Sequence, residues 1–234
     1  MPDASEAGST DNIGLLQLMS WLSPGFPVGS YCYSHGLEQA VESGLLGDLA
    51  GVTAWISTVL RHGGAWVDSI LFLEAHRAVR RDDADRLAYI ADLANAWRGT
   101  AETALESRAQ GLAFVTALQS SWPSQGQDRW LARLPTPPYA IAVAVAAAAA
   151  GIEQEAALSA YLHAVTANLV SAAVRLIPLG QTDGQRAIRA MAQVIPEVVL
   201  AAGSASLDRL GTACPTVDWA SMRHETQYTR LFRS

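Results

Sequence analysis

The sequence predicts an all-α protein, a single-domain bundle of roughly eight to ten helices, and three observations carry that expectation. Apolar residues recur at three- and four-residue spacing through one segment after another, as helix faces packed on a core require. No stretch alternates apolar and polar residues between turn signals for long enough to make a strand. Glycines and prolines fall between the periodic segments, and no repeat, linker or composition break marks a second domain.

The elements follow in order. Leu15, Leu16, Leu18, Met19 and Leu22 open an apolar helix that Pro24 ends. Residues 34–46 come next, with Ser34 placed as N-cap and Leu37, Val41 and Leu45 at helical spacing. Further helices are expected near 48–61, 64–80, 83–97, 99–120, 139–150, 153–176 and 184–202, with a short piece near 204–211. Asp48 and Asp183 read as caps, Gly111 and Gly151 as breaks, and residues 122–138 as a loop. The acidic, polar stretch 1–12 reads as a disordered lead-in, which leaves a helical domain over 13–220 and a tail at 221–234.

Between Arg133 and Glu153 lie 19 uncharged residues, long enough for a membrane span. Three prolines stand in that run, and its centre is alanine, which gains little from lipid but is the best helix former in water. The run is therefore expected as a buried helix of a bundle, with no membrane.

Composition narrows the function. All 16 basic residues are arginine, so the chain has no lysine for a P-loop, a kinase strand or a Schiff base. The net charge of −6 argues against nucleic acid, which calls for a basic stripe. Only 16% of residues are charged, which gives 38 charges for a surface of roughly 10,000 Å² at this mass. A surface so sparsely charged implies apolar area covered by another protein. Cys32 and Cys214 are too few for a disulfide scaffold or a four-ligand zinc site, and they suit reduced thiols in a cytoplasmic protein. The first twelve residues lack the basic charge of a secretory or transit signal.

Three segments depart from plain helix chemistry. SPGFPVGSYCYSHGLE, residues 23–38, holds prolines, glycines and aromatics without a charge before Glu38. It reads as a rigid loop, packed in the core or facing a ligand or partner. Cys32 and His35 form a C-x-x-H half-site with no second pair nearby, while His62, His76 and His163 stand alone on helices. In the second segment, Leu162, Val165, Leu169 and Leu176 make an apolar stripe, and Asn168, Ser171 and Arg175 a polar one. Pro178 stops that helix, and Gly180–Gly184 reads as a tight loop presenting Gln181, Thr182 and Asp183. An arginine there needs an acceptor or water, so Arg175 is either a buried ion pair or part of a contact surface. The stripe Glu102, Glu106 and Gln110, with Arg108 nearby, is a candidate source of acceptors. The third segment, DWASMRHETQYTRLFRS, interleaves aromatics with arginines as docking hot spots do, a frayed end being the alternative.

FPVGSYCYSHGLE, ESRAQG, NLVSAAVRLIPLGQTDGQRAI and SMRHETQYTRLFRS stand in this order, from about residue 13 to the last. Together they resemble the UreF family of urease accessory proteins. The resemblance implies a non-enzymatic, all-helical protein that joins UreD (UreH in some species), recruits the nickel-carrying GTPase UreG and docks on apo-urease. A homodimer within that complex is implied, with no cofactor or metal of the chain's own. Carried onto this sequence, Arg223, His224, Glu225, Tyr228, Arg230 and Phe232 fall to the UreD-type contact. Arg175, Gln181, Asp183 and Gln185 fall to the UreG-facing surface or its support. Tyr31, Tyr33, Ser34, His35 and Glu38 belong to the N-terminal motif, as core, dimer contact or nickel path. The alternative is a chain that activates the GTPase directly, with Arg175 or Gln181 acting in trans.

Overall fold

The computed structural model describes the backbone of residues 4–234, with side chains from residue 12 onward. Among the described residues every regular element is helical: α1 (Ala4–Trp21), α2 (Leu37–Glu42), α3 (Leu49–His62), α4 (Gly64–Arg80), α5 (Ala84–Ala96), α6 (Ala101–Ser121), α7 (Gln125–Leu131), α8 (Tyr139–Ala149), α9 (Gln154–Leu176), α10 (Gln181–Ser204) and α11 (Pro215–His224). Short 3-10 turns occupy Ser30–Cys32 and Leu207–Arg209. Of the lead-in expected at residues 1–12, the first three lie outside the described residues, and α1 overlaps the rest.

The uncharged run forms α8 at the centre of the bundle. Its residues Ala140–Ala148 are all 2% exposed or less, and α4, α6, α7 and α9 pack around it. Eleven residues reach about 16 Å, half the hydrocarbon thickness of a bilayer. Small alanine side chains let those neighbours come close from every side. By length and composition alone, α9 and α10 could each cross a membrane, yet each lays one face on this core.

Local chemistry sets the ends. The Asp48 carboxylate accepts from Gly51 N–H at 2.8 Å to start α3, and Asp83 accepts from Arg86 N–H at 2.9 Å to start α5. Thr100 and Thr103 cap α6 reciprocally. The Thr100 hydroxyl also meets that of Ser221 on α11 at 2.7 Å. One cap therefore fixes α6 and anchors the chain's last helix to it.

Several expectations need correction. Ser34 is not the N-cap of α2, which spans only Leu37–Glu42 behind Gly36. Residues 181–184 are not a loop, because α10 starts at Gln181 with Gly180 as its cap. Asp183 lies inside the first turn and pairs with Arg186 at 2.7 Å. Gly111 is no break, since α6 runs through it. The expected 122–138 loop contains α7, and α11 straddles the boundary drawn at residue 220. Leu15, Leu16 and Met19 on α1 are more than half exposed, while Leu18 and Trp21 carry that helix's burial.

Candidate functional site

The motif segments, far apart in sequence, converge at one end of the bundle. Around His224, at the last turn of α11, the chain's final residues fold back over residues 31–38 and across α6 and α9.

His224 is wholly buried, and each ring nitrogen faces a carboxylate. Nε2 lies 3.0 Å from Glu38 on α2, and Nδ1 lies 2.9 Å from Glu102 on α6. Two hydrogens are needed for these two contacts. A ring carrying both N–H donors supplies them, and so does a neutral ring beside one protonated carboxyl. Arg230 adds a guanidinium 3.1 Å from Glu102. Glu38 also accepts the backbone N–H of Leu231 at 2.6 Å and of Phe232 at 2.9 Å. A single carboxylate thereby holds both α11 and the last residues of the chain.

A second set of bonds continues outward. Ser34 donates its N–H at 2.5 Å and its hydroxyl at 2.6 Å to the main-chain oxygen of Ser234. Ser234 in turn donates its hydroxyl to Glu106 at 3.1 Å. The same carboxylate lies 3.4 Å from His35 Nδ1, and its other oxygen accepts from Gln110 at 2.9 Å. Arg233 N–H donates to the Cys32 carbonyl at 2.7 Å.

The polar stripe of α9 completes the seat. Asn168 donates to the Tyr33 carbonyl at 3.3 Å, and Arg175 donates to the Tyr31 carbonyl at 2.7 Å and to Ser171 at 3.3 Å. The Arg175 guanidinium lies 4.3 Å from the centre of the buried Phe232 ring. Arg175 is thus neither a buried ion pair nor a partner of the α6 carboxylates. Its acceptors are backbone carbonyls, and its flat face covers the tail's anchor.

Gly36 makes the close approach of α2 and α11 feasible. Its φ of +79° suits glycine, and a Cβ there would fall 2.9 Å from the Ser221 nitrogen.

Two groups of this cluster, His35 and Glu102, are shifted toward their protonated forms. Burial lowers the His35 pKa, but the Glu106 hydrogen bond and charge, with Asp68 behind them, carry it above the ordinary histidine value. Burial likewise raises the Glu102 pKa against the pull of His224 and Arg230. A raised histidine stabilises the fold fully below its unfolded value of about 6.5 and loses that contribution as pH rises through the folded value. Amides of residues 230–234 should therefore be better protected at about pH 6 than at about pH 8.5, after correction for intrinsic exchange rates. Flat protection across that range would contradict the linkage.

A sequence model of the UreF family matches residues 46–192. The urease accessory protein UreF of Bradyrhizobium sp. strain BTAi1 is 48% identical over 96% of this chain and 93% of its own length. The chain belongs to the UreF family. The urease accessory protein UreF of Granulibacter bethesdensis is 46% identical over 99% of both chains. That of Rhodopseudomonas palustris strain BisB5 is 43% identical over 99% of this chain and 96% of its own.

Within this UreF fold the candidate residues divide by direction. His224 and Phe232 point inward, as do Tyr33, Ser34 and Glu38. Tyr228 is fully exposed, Leu231 and Tyr31 are 64% exposed, and Arg223 and Glu225 face solvent. Gln181 and Gln185 lie exposed on the first turns of α10. Among the described residues no three His, Cys, Asp or Glu side chains gather as a metal site, and His35 is engaged by Glu106 rather than paired with Cys32. Cys214 is buried, its thiol pushed up to about 11 by burial and by Asp218. Glu102 and Glu106 are the site residues whose partners the sequence did not reveal. Their four-residue spacing on α6 was visible, whereas the histidines and the tail that they serve lie far along the chain.

Proposed function

We propose that this chain is a non-enzymatic urease accessory scaffold in the cytoplasm. It joins a UreD/UreH-type protein through its folded-back tail, and together they recruit a UreG-type GTPase to apo-urease for nickel insertion. A homodimer within that complex belongs to the same reading. The supporting observation is the orientation of the tail. Buried acids grip its backbone from beneath, which leaves the Tyr228, Leu231, Arg223 and Arg233 side chains of the tail, and Tyr31 of the loop it packs on, exposed. Exposed aromatics with arginines are the composition of interface hot spots.

A direct GTPase activator would need an arginine free to enter another protein's site. Arg175 is instead engaged by two carbonyls and the Phe232 ring, which favours the scaffold. Co-expression with UreD- and UreG-type proteins followed by size-exclusion chromatography tests the reading. Deleting Arg223–Ser234 should abolish UreD-type association while helicity by circular dichroism survives, and normal association of the truncated chain would overturn it. Arg175→Ala should weaken UreD-type capture by loosening the tail. Unchanged capture with lost GTP turnover would favour the activator.

A further inference from the structure

A cleft of about 380 Å³ opens between the last turn of α3, α10 and residues 209–213. This volume falls within the range of small-ligand sites. Arg61, His62, Trp66, Glu197, Arg209 and Thr212 stand on its walls.

We infer that this cleft binds a small anion carried on a flat apolar group, such as an aryl phosphate or aryl carboxylate. Arg209 forms no ion pair among the described residues, and its backbone is fixed from two sides. Its carbonyl accepts the Trp66 indole N–H at 3.3 Å, and its N–H donates to Ser206 at 3.0 Å. Ala213 N–H donates to the His62 carbonyl at 2.7 Å, which pins the 211–213 wall to the end of α3. The backbone N–H groups of Gly211 and Thr212, between these two anchors, have no hydrogen-bond partner among the described residues. Donors held ready and a guanidinium without a counterion are the parts of an anion site. The Trp66 ring supplies an apolar wall beside them.

The one acid on the wall, Glu197, is bound to Arg61 at 2.6 Å. It competes with an incoming anion for that arginine, and this sets a two-directional test. Phenyl phosphate is titrated into the full-length protein up to about 10 mM, with inorganic phosphate as the comparison, and the indole N–H signal of Trp66 is followed by NMR. Wild type should show a saturable shift, tighter for phenyl phosphate than for inorganic phosphate. Arg209→Gln should weaken binding about 10–100-fold, and Glu197→Gln should tighten it by releasing Arg61. Both variants are surface changes and should keep the wild-type helicity. No saturable shift, or one that Arg209→Gln leaves unchanged, overturns the inference. A response equal for the two probes overturns the apolar half of it. None of these outcomes bears on the tail.

Discussion

His224→Ala should release the end of the chain from the bundle without unfolding the bundle itself. Removing the ring strips Glu38 and Glu102 of the hydrogen-bond partner they share in a buried site and leaves the Arg230 guanidinium beside Glu102. Breaking one partner out of a buried charged cluster costs about 3–5 kcal/mol. That cost has a ceiling, because once the tail lifts away both carboxylates recover water. The variant will therefore relax by undocking when the penalty exceeds the docking free energy of residues 225–234. The expected readout is rapid tryptic cleavage after Arg223 and Arg230, with far-ultraviolet circular dichroism near that of wild type. Arg223→Ala, which removes an exposed side chain beside the same site, should leave the tail's protease resistance as it was. Equal resistance of His224→Ala and wild type would show that the ionic cluster does not hold the tail.

Gly111→Ala should be the most damaging single methyl in the molecule. Helix propensity predicts the opposite, since alanine is favoured over glycine mid-helix by about 1 kcal/mol. Sterics decide it. A Cβ at Gly111 would fall 1.8 Å from the Pro137 carbonyl oxygen and 2.9 Å from its carbon. Those atoms are backbone, held by the prolines that lead into α8, so no rotamer change relieves the clash. Overpacking of this kind costs about 1–3 kcal/mol and sometimes more, and a 1.8 Å approach to backbone belongs at the upper end, which after the propensity gain leaves a net loss of about 2 kcal/mol. α6 must then shift away from α8, carrying Glu102 and Glu106 with it. Thermal unfolding should drop by several degrees, roughly 2–4 °C per kcal/mol in a domain of this size. A variant as stable as wild type would mean that the α6–Pro137 contact is looser than described.

The two sites differ in how far sequence alone reaches. Helical class and the long elements were legible because the apolar spacing in 49–62, 64–80 and 154–176 is strong and its breaks are local. α7 was missed because seven residues are too few for a periodic signal, and α11 because its ten residues carry charges and aromatics at mixed spacing. Pro215 at the first turn of α11 was the usable sign. Gly111 looked like a break because glycine commonly is one, and only the proximity of Pro137 gives it another purpose.

The motif segments could be picked out as chemically unusual, but their mutual contacts could not. Glu38 and His224 are 186 residues apart, and nothing local specifies that pair. Aromatic and arginine content marked the tail as adhesive without separating its two faces. Phe232 and Tyr228 look alike in the sequence, yet one is 4% exposed and the other fully exposed. Folding back of the last residues makes that distinction, because Glu38 fixes the backbone at 231 and 232 and turns the Phe232 ring under Arg175.

The most direct test is capture of a UreD-type protein by the double variant Tyr228→Ala, Leu231→Ala. Neither side chain supports the fold, and the Leu231 N–H bond to Glu38 survives the change. The melting temperature should therefore stay at the wild-type value, with stability within about 0.5 kcal/mol. Loss of two hot-spot side chains of about 2 kcal/mol each should lower affinity by two to three orders of magnitude. Wild-type affinity in a variant of unchanged stability would contradict the claim that this chain works through the outward face of its tail.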